Sequence, residues 1–255
     1  MLGTTPERIR SVPAGDFLAA QLAVAEPPRS TWLWRPSVDG VALTSAPVTA
    51  IAAGAAAGVP LLLQTCARET ALYQLPGPDA ADRAAGVLTG YFGTERAAAM
   101  LASYAAAYPQ LDETAPRGVA VMSDERYVVR TERLADAHAA HAPVWRSRYD
   151  GPYTGIADDP ELARYAGLLG GAHGGDGTGI WRGGDGPAAA LHDAWGAFAT
   201  TGDPGWPRYA ADARPAMIFG AYGAQVGGDP FAHARQAWDG LTWQPGTWWP
   251  VEGVS

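Results

Sequence analysis

The sequence has no lysine: its 18 basic residues are all arginine, and 26 acids outnumber them to leave a net charge of −8. A nucleic-acid binder concentrates basic side chains along the phosphate path, whereas these arginines are scattered, so that class is excluded. Among the ten tryptophans, Trp145, Trp181 and Trp195 accordingly read as core or pocket wall rather than as base-stacking platforms. Cys66 is the single cysteine, so no disulfide can form within the chain and a disulfide-scaffold fold falls away.

Long uninterrupted apolar runs are also missing. Residues 41–67 carry no charge, but Pro47 and Pro60 break them, and Ala and Gly fill much of the rest, too weakly apolar for a membrane span. They read instead as a loop approaching a buried strand. Met1–Arg10 contains Glu7, Arg8 and Arg10 and has no apolar core, so it reads as neither secretory signal nor anchor, and a cytoplasmic location is expected. No repeat or low-complexity linker divides the chain, so residues 1–255 are expected to form a single unit.

What is there suffices for a sizeable core: 255 residues, 47% of them apolar. Asp16 opens a predicted helix over 16–25 that stops before Pro27–Pro28. Val59–Thr65, a short apolar run after a glycine, predicts a buried strand. Helices follow at 79–90 and 94–107, the second opened by Thr94 and closed before Pro109. A second strand is expected at Ala120–Met122, then a helix over 131–142 capped by Thr131, then a strand at Val144–Tyr149. Residues 187–200 set Leu191, Trp195 and Phe198 at i, i+4 and i+7, one apolar helix face. Ala216–Phe219 and Tyr222–Val226 predict a hairpin, after which Asp229 and Pro230 start a helix carrying Phe231 and Trp238. Strands separated by helices indicate an α/β layer architecture, with few strands for a complete doubly wound domain.

Two segments hold residues suited to chemistry. The first runs from Leu61 through Cys66 to Glu69 and Tyr73, a buried strand whose exit loop presents an acid. In open α/β sheets reactive groups sit beyond the carboxyl ends of strands, although on spacing alone Glu69 reads more simply as a helix N-terminal glutamate. The second is Gly170–Gly177, where His173 lies among glycines that leave an imidazole uncrowded, as a proton shuttle requires; an exposed loop histidine fits equally well. His-Gly-Gly also resembles a lipase oxyanion loop, but no G-x-S-x-G elbow follows it. Cys66 is a poor nucleophile candidate because it lies on the same loop as the acid, three residues before it. His138 and His141, three apart on a predicted helix, lack a third ligand and read as surface-facing, so no metal is expected; His192 and His233 have no partner motif.

Several ordered stretches together resemble the C-terminal half of a type B carboxylesterase, the para-nitrobenzyl esterase and cholinesterase-like family. They are Pro36–Gly40, Val59–Thr65 running to Glu69, Ala172–Asp176, Ala190–Ala199, Thr201–Tyr209, and Asp229 through Trp238. The resemblance implies the C-terminal portion of an α/β-hydrolase fold, a partial, mostly parallel sheet flanked by helices with a terminal hairpin and helix. It further implies that Glu69 is the triad acid and His173 the triad base of a serine ester hydrolase whose serine elbow and oxyanion glycines precede this chain. Gln64 and Cys66 stand where the family has Gly and Asn, and the segment after Asp176 is glycine-rich where the family is apolar. A small-molecule ester is the expected substrate once a nucleophile-bearing half is supplied, with no cofactor, nucleic acid or membrane as partner. The chain alone is expected to be inert. The rival class is a non-catalytic, esterase-like interaction module; a stand-alone metal hydrolase is a weaker third.

Overall fold

Three parallel strands and one antiparallel strand form the centre of the molecule, in the order β1 (Leu61–Cys66), β2 (Val144–Tyr149), β3 (Pro215–Gly220), β4 (Gly223–Gly228). The computed structural model describes residues 5–24, 38–74, 80–109, 114–153 and 169–242. The helices are α1 (Ala14–Val24), α2 (Pro47–Ala52), α3 (Ala80–Ala107), α4 (Thr114–Ser123), α5 (Val129–Ala139), α6 (Gly177–Arg182), α7 (Pro187–Thr201) and α8 (Ala232–Ala237). Short 3₁₀ segments cover Pro6–Ser11 and Glu69–Gln74. The expected stop at Pro27–Pro28 and the first two residues of the Pro36–Gly40 motif lie outside the described residues.

Strand alternation assigns the two faces of the sheet. Leu62 and Cys66 of β1, Trp145 and Tyr149 of β2, and Met217 and Phe219 of β3 meet Leu191, Trp195 and Phe198 of α7. Leu61 and Leu63 with Val144 turn the other way and meet Ala135 of α5 and Tyr209. Beyond α5 the core continues through Leu88 and Tyr104 of α3, Val121 and Met122 of α4, and Trp238 just past α8. Helices thus cover both faces, the layering that strands alternating with helices predict.

The two helices expected at 79–90 and 94–107 form one run, Ala80–Ala107, broken at Gly93, whose φ of 79° and ψ of 166° only a glycine adopts cheaply. The strand expected at Ala120–Met122 is instead part of helix α4. Val119, Val121, Met122 and Ser123 are buried and Ala120 partly so, and an apolar run this short cannot be typed by period. From Ser123 the helix continues through a π turn, Asp124–Val128, into α5. Thr131 is therefore a helix interior residue, its hydroxyl donating to the Tyr127 carbonyl at 2.8 Å, and it caps nothing. Asp229 and Pro230 do not start the last helix either. Asp229 turns the chain out of β4 with φ at 47°, its carboxylate pairs with Arg235, and α8 begins at Ala232.

Candidate active site

The carboxyl end of β1 leads directly into the 3₁₀ turn that opens with Glu69. Thr70 anchors that turn to α4: its N–H donates to the Ser123 hydroxyl at 3.1 Å, and its own hydroxyl donates to the Val119 carbonyl at 3.0 Å. Glu69 is only 4% exposed. A buried carboxylate needs partners on both oxygens, and it has them. Oε1 accepts the Cys66 N–H at 2.7 Å, and Oε2 faces Nδ1 of His173 at 2.7 Å.

His173 lies in the described turn residues 169–176 that lead into α6. The Arg68 N–H donates to the Gly171 carbonyl at 2.7 Å, and the His173 N–H donates to the Glu69 carbonyl at 3.2 Å, so the loop is laid along the exit of β1. Gly171 is required there. Its φ is +66°, and an added Cβ would lie 3.1 Å from the Ala67 Cβ. The imidazole side chain is 55% exposed and its ring packs against Tyr127, centroids 5.0 Å apart. With Nδ1–H donating to a carboxylate, the proton is fixed on that nitrogen and Nε2 keeps its lone pair. The Glu69 hydrogen bond raises the pKa of the ring most, partial burial opposes it, and the charges of Glu69 and Asp176 raise it further.

The sequence singles out Glu69 and His173, 104 positions apart, and the fold brings them into contact. Cys66 lies beneath them, buried, with its thiol pushed up by desolvation and by the charges of Glu69 and Asp176, which is the reverse of an activated nucleophile. Among the described residues no hydroxyl or thiol hydrogen-bonds to Nε2 of His173. Three of the other four histidines bond to backbone carbonyls. His138 is buried rather than surface-facing, its Nε2 on the Val59 carbonyl at 2.7 Å; His141 Nε2 meets the Ala52 carbonyl at 2.9 Å, and His192 Nδ1 the Ile180 carbonyl at 2.8 Å. His233 packs edge-on to Tyr104 and Tyr108. Among the described residues no cluster of three His, Cys, Asp or Glu could hold a metal. Trp145 is core, as expected, whereas Trp181 is 79% exposed and walls nothing. Tyr127 was not marked by the sequence; only its place on a π turn, a feature frequent at functional sites, could have drawn notice.

A mostly parallel sheet covered by helices, with an acid and a histidine meeting at the carboxyl end of its first strand, is the layout of one fold class. This is an α/β-hydrolase fold. The structure superimposes on a solved para-nitrobenzyl esterase with a TM-score of 0.67 and 23% identity, covering 91% of this chain and 50% of that one. It superimposes on carboxylesterase EST55 of Geobacillus stearothermophilus at pH 6.2 with a TM-score of 0.61 and 28% identity, covering 93% and 52%. In sequence it is 29% identical over 248 residues to the para-nitrobenzyl esterase of Bacillus subtilis (strain 168), covering 90% of this chain and 48% of that protein. No protein-family profile matches. The chain spans about half the length of these relatives, in keeping with the resemblance to half of a carboxylesterase. Among the described residues no helix is long and apolar enough to cross a membrane.

Proposed function

We propose that this chain is the acid- and base-bearing C-terminal part of a Ser-His-Glu carboxylic ester hydrolase, working as one unit, residues 1–255, with a nucleophile supplied from outside it. The observation that carries this is the 2.7 Å contact of Glu69 Oε2 with His173 Nδ1 beside a ring left open on its other edge. In this scheme Glu69 holds the tautomer and steadies the imidazolium. Nε2 takes the proton of a serine hydroxyl as it attacks the ester carbonyl and returns it to the leaving alcohol. The oxyanion donors come with the serine.

The half-length match to esterases supports the division of labour. So does the sheet: among the described residues β1 is an edge strand, with Leu61, Leu62 and Leu63 only partly covered. An open edge next to partly exposed apolar residues pairs readily, so the isolated chain is expected to associate with itself or with the complementing segment. Lacking the nucleophile costs roughly 10⁶ in kcat, so the chain alone is inert. The test is hydrolysis of a chromogenic short-acyl ester by the purified chain, alone and mixed with a serine-bearing N-terminal half of a related esterase. Activity only in the mixture is expected. Turnover by the chain alone that His173→Ala abolishes and removal of every serine leaves intact would overturn the proposal.

A further inference from the structure

On the α7 side of the sheet, Gln64 stands between Leu62 and Cys66 and opposite Ser147, a partly buried carboxamide beside an apolar cluster. Such a group is stable only when its polar atoms are matched. Its Oε1 accepts the Ser147 hydroxyl at 2.9 Å and the Trp195 indole N–H at 3.4 Å, which orients the amide. Its NH₂ is thereby aimed at Asp176, and Nε2 donates to Oδ2 at 2.6 Å across 112 positions of sequence.

We propose that Gln64 is a positioning residue, a latch from the sheet that holds the far end of the histidine loop and so keeps His173 against Glu69. The inference deepens the proposed function and rests on His173 being the base. Two features of the loop make the latch necessary. After His173 come Gly174 and Gly175, which have no side chains to hold, so Asp176 is the first residue that can be held by one. Asp176 is also the N-cap of α6, where an aspartate ordinarily bonds to the helix's own N–H groups, yet it makes no capping bond, and its carboxylate turns instead to Gln64 and the neighbouring Cys66 thiol. The front of the loop is tied by backbone to Arg68 and Glu69, so the histidine is held between two fixed points.

The Nδ1–H proton of His173 reports on the latch without any catalysis. In the ¹⁵N-histidine-labelled chain it should give a downfield, slowly exchanging NMR signal, assigned by its loss in His173→Gln. Gln64→Leu should broaden or remove this signal and lower the pKa of the ring; Asp176→Leu should broaden or remove the signal in the same way, its effect on the ring pKa including the loss of the Asp176 charge. The double variant should be no worse than either single one, since both cut the same tie. Asp176→Asn, which can still accept from Gln64, should keep the signal. A purely structural glutamine would lower the melting temperature and leave the proton signal as it was. A folded Gln64→Leu chain with the wild-type signal and ring pKa, or a folded Asp176→Leu chain with the wild-type signal, overturns the latch; if the strand variant fails to fold, the proton signal of the loop variant gives the answer. In the complemented esterase, Gln64→Leu should reduce kcat roughly 10- to 100-fold at unchanged KM. Failure of the base assignment looks different: His173→Ala would retain full activity whatever the latch variants do to the signal.

Discussion

Two glutamates in this chain make the same contact and lead to different outcomes. Glu69 meets His173 Nδ1 at 2.7 Å, and Glu132 meets Arg146 Nε at 2.7 Å; the acids are 4% and 2% exposed. Arg146 is 1% exposed, sealed between α5 and the sheet, where it also donates to the Leu63 carbonyl and lies 4.6 Å from the Phe231 ring centroid. Its guanidinium never gives up a proton, so the pair can only hold the layers in register. His173 titrates and its free edge faces solvent, so the same carboxylate contact leaves a nitrogen that can accept and return a proton. Acid contact geometry alone does not mark a reactive site. Access to the partner and its ability to ionise do.

Breaking the Glu69–His173 pair has the largest expected effect. His173→Ala should reduce the complemented ester hydrolysis roughly 10⁶-fold and also lower the melting temperature, because it takes from Oε2 of the buried Glu69 its imidazole partner. Glu69→Gln should cost about 10⁴-fold, since a carboxamide cannot accept from both the Cys66 N–H and His173 Nδ1–H, as Glu69 now does. Assays of initial rate at matched folding, checked by circular dichroism, separate these from instability.

The structural pair should answer in the other currency. Arg146→Leu leaves Glu132 buried without its closest cation and is expected to lower stability by about 3–5 kcal/mol in denaturant unfolding. Any of the variant that remains folded should keep the His173 proton signal and the complemented kcat; loss of that signal at full folding would show that the two pairs are not independent.

Changing pH sharpens the contrast. The pKa of His173 is raised, so its pairing with Glu69 stabilises the fold fully below the ordinary imidazole value and fades as pH climbs through the raised one. Ester hydrolysis has the opposite sign: the ring must be neutral to act, so the rate should rise through that same pKa. A kcat/KM profile and an NMR titration of His173 should therefore coincide, and a profile with no histidine-range limb would break the assignment.

A third buried acid gives the smallest effect. Asp124, on the π turn, accepts from the Tyr104 hydroxyl at 2.7 Å, and burial pushes its carboxyl up to about 7 against the pull of that bond and of Arg148. A carboxyl raised in this way contributes fully below its ordinary value near 3.8 and loses its contribution as pH rises toward 7. Asp124→Asn, which cannot ionise, should flatten the melting temperature between about pH 3 and about pH 8, a range that brackets both values. An unchanged slope would show that Asp124 stays charged in the fold.

Patterns that depend on local period were readable in the chain. The apolar run ending in Cys66, the face of Leu191, Trp195 and Phe198, and the hairpin before Asp229 are each set by side-chain alternation or helical spacing, and each forms where that spacing says. Ala120–Met122 was not readable because so short an apolar run shows no period. Thr131 and Asp229 misled because capping chemistry is also used inside helices and in turns. His138 and Trp181 reverse their expected exposure for a related reason: in an Ala- or Gly-rich helix nothing local says which side another layer will cover. Glu69 and His173 stood out only through the resemblance of whole ordered stretches, and Tyr127 not at all.

By itself the sequence determined most of the strands and helices, because periodicity and glycine placement act over a few neighbours. Tertiary structure alone decided that Glu69 touches His173 while Glu132 touches Arg146, and that Gln64 reaches Asp176. Those contacts join residues 104, 14 and 112 positions apart, and only sheet register and layer packing set such distances.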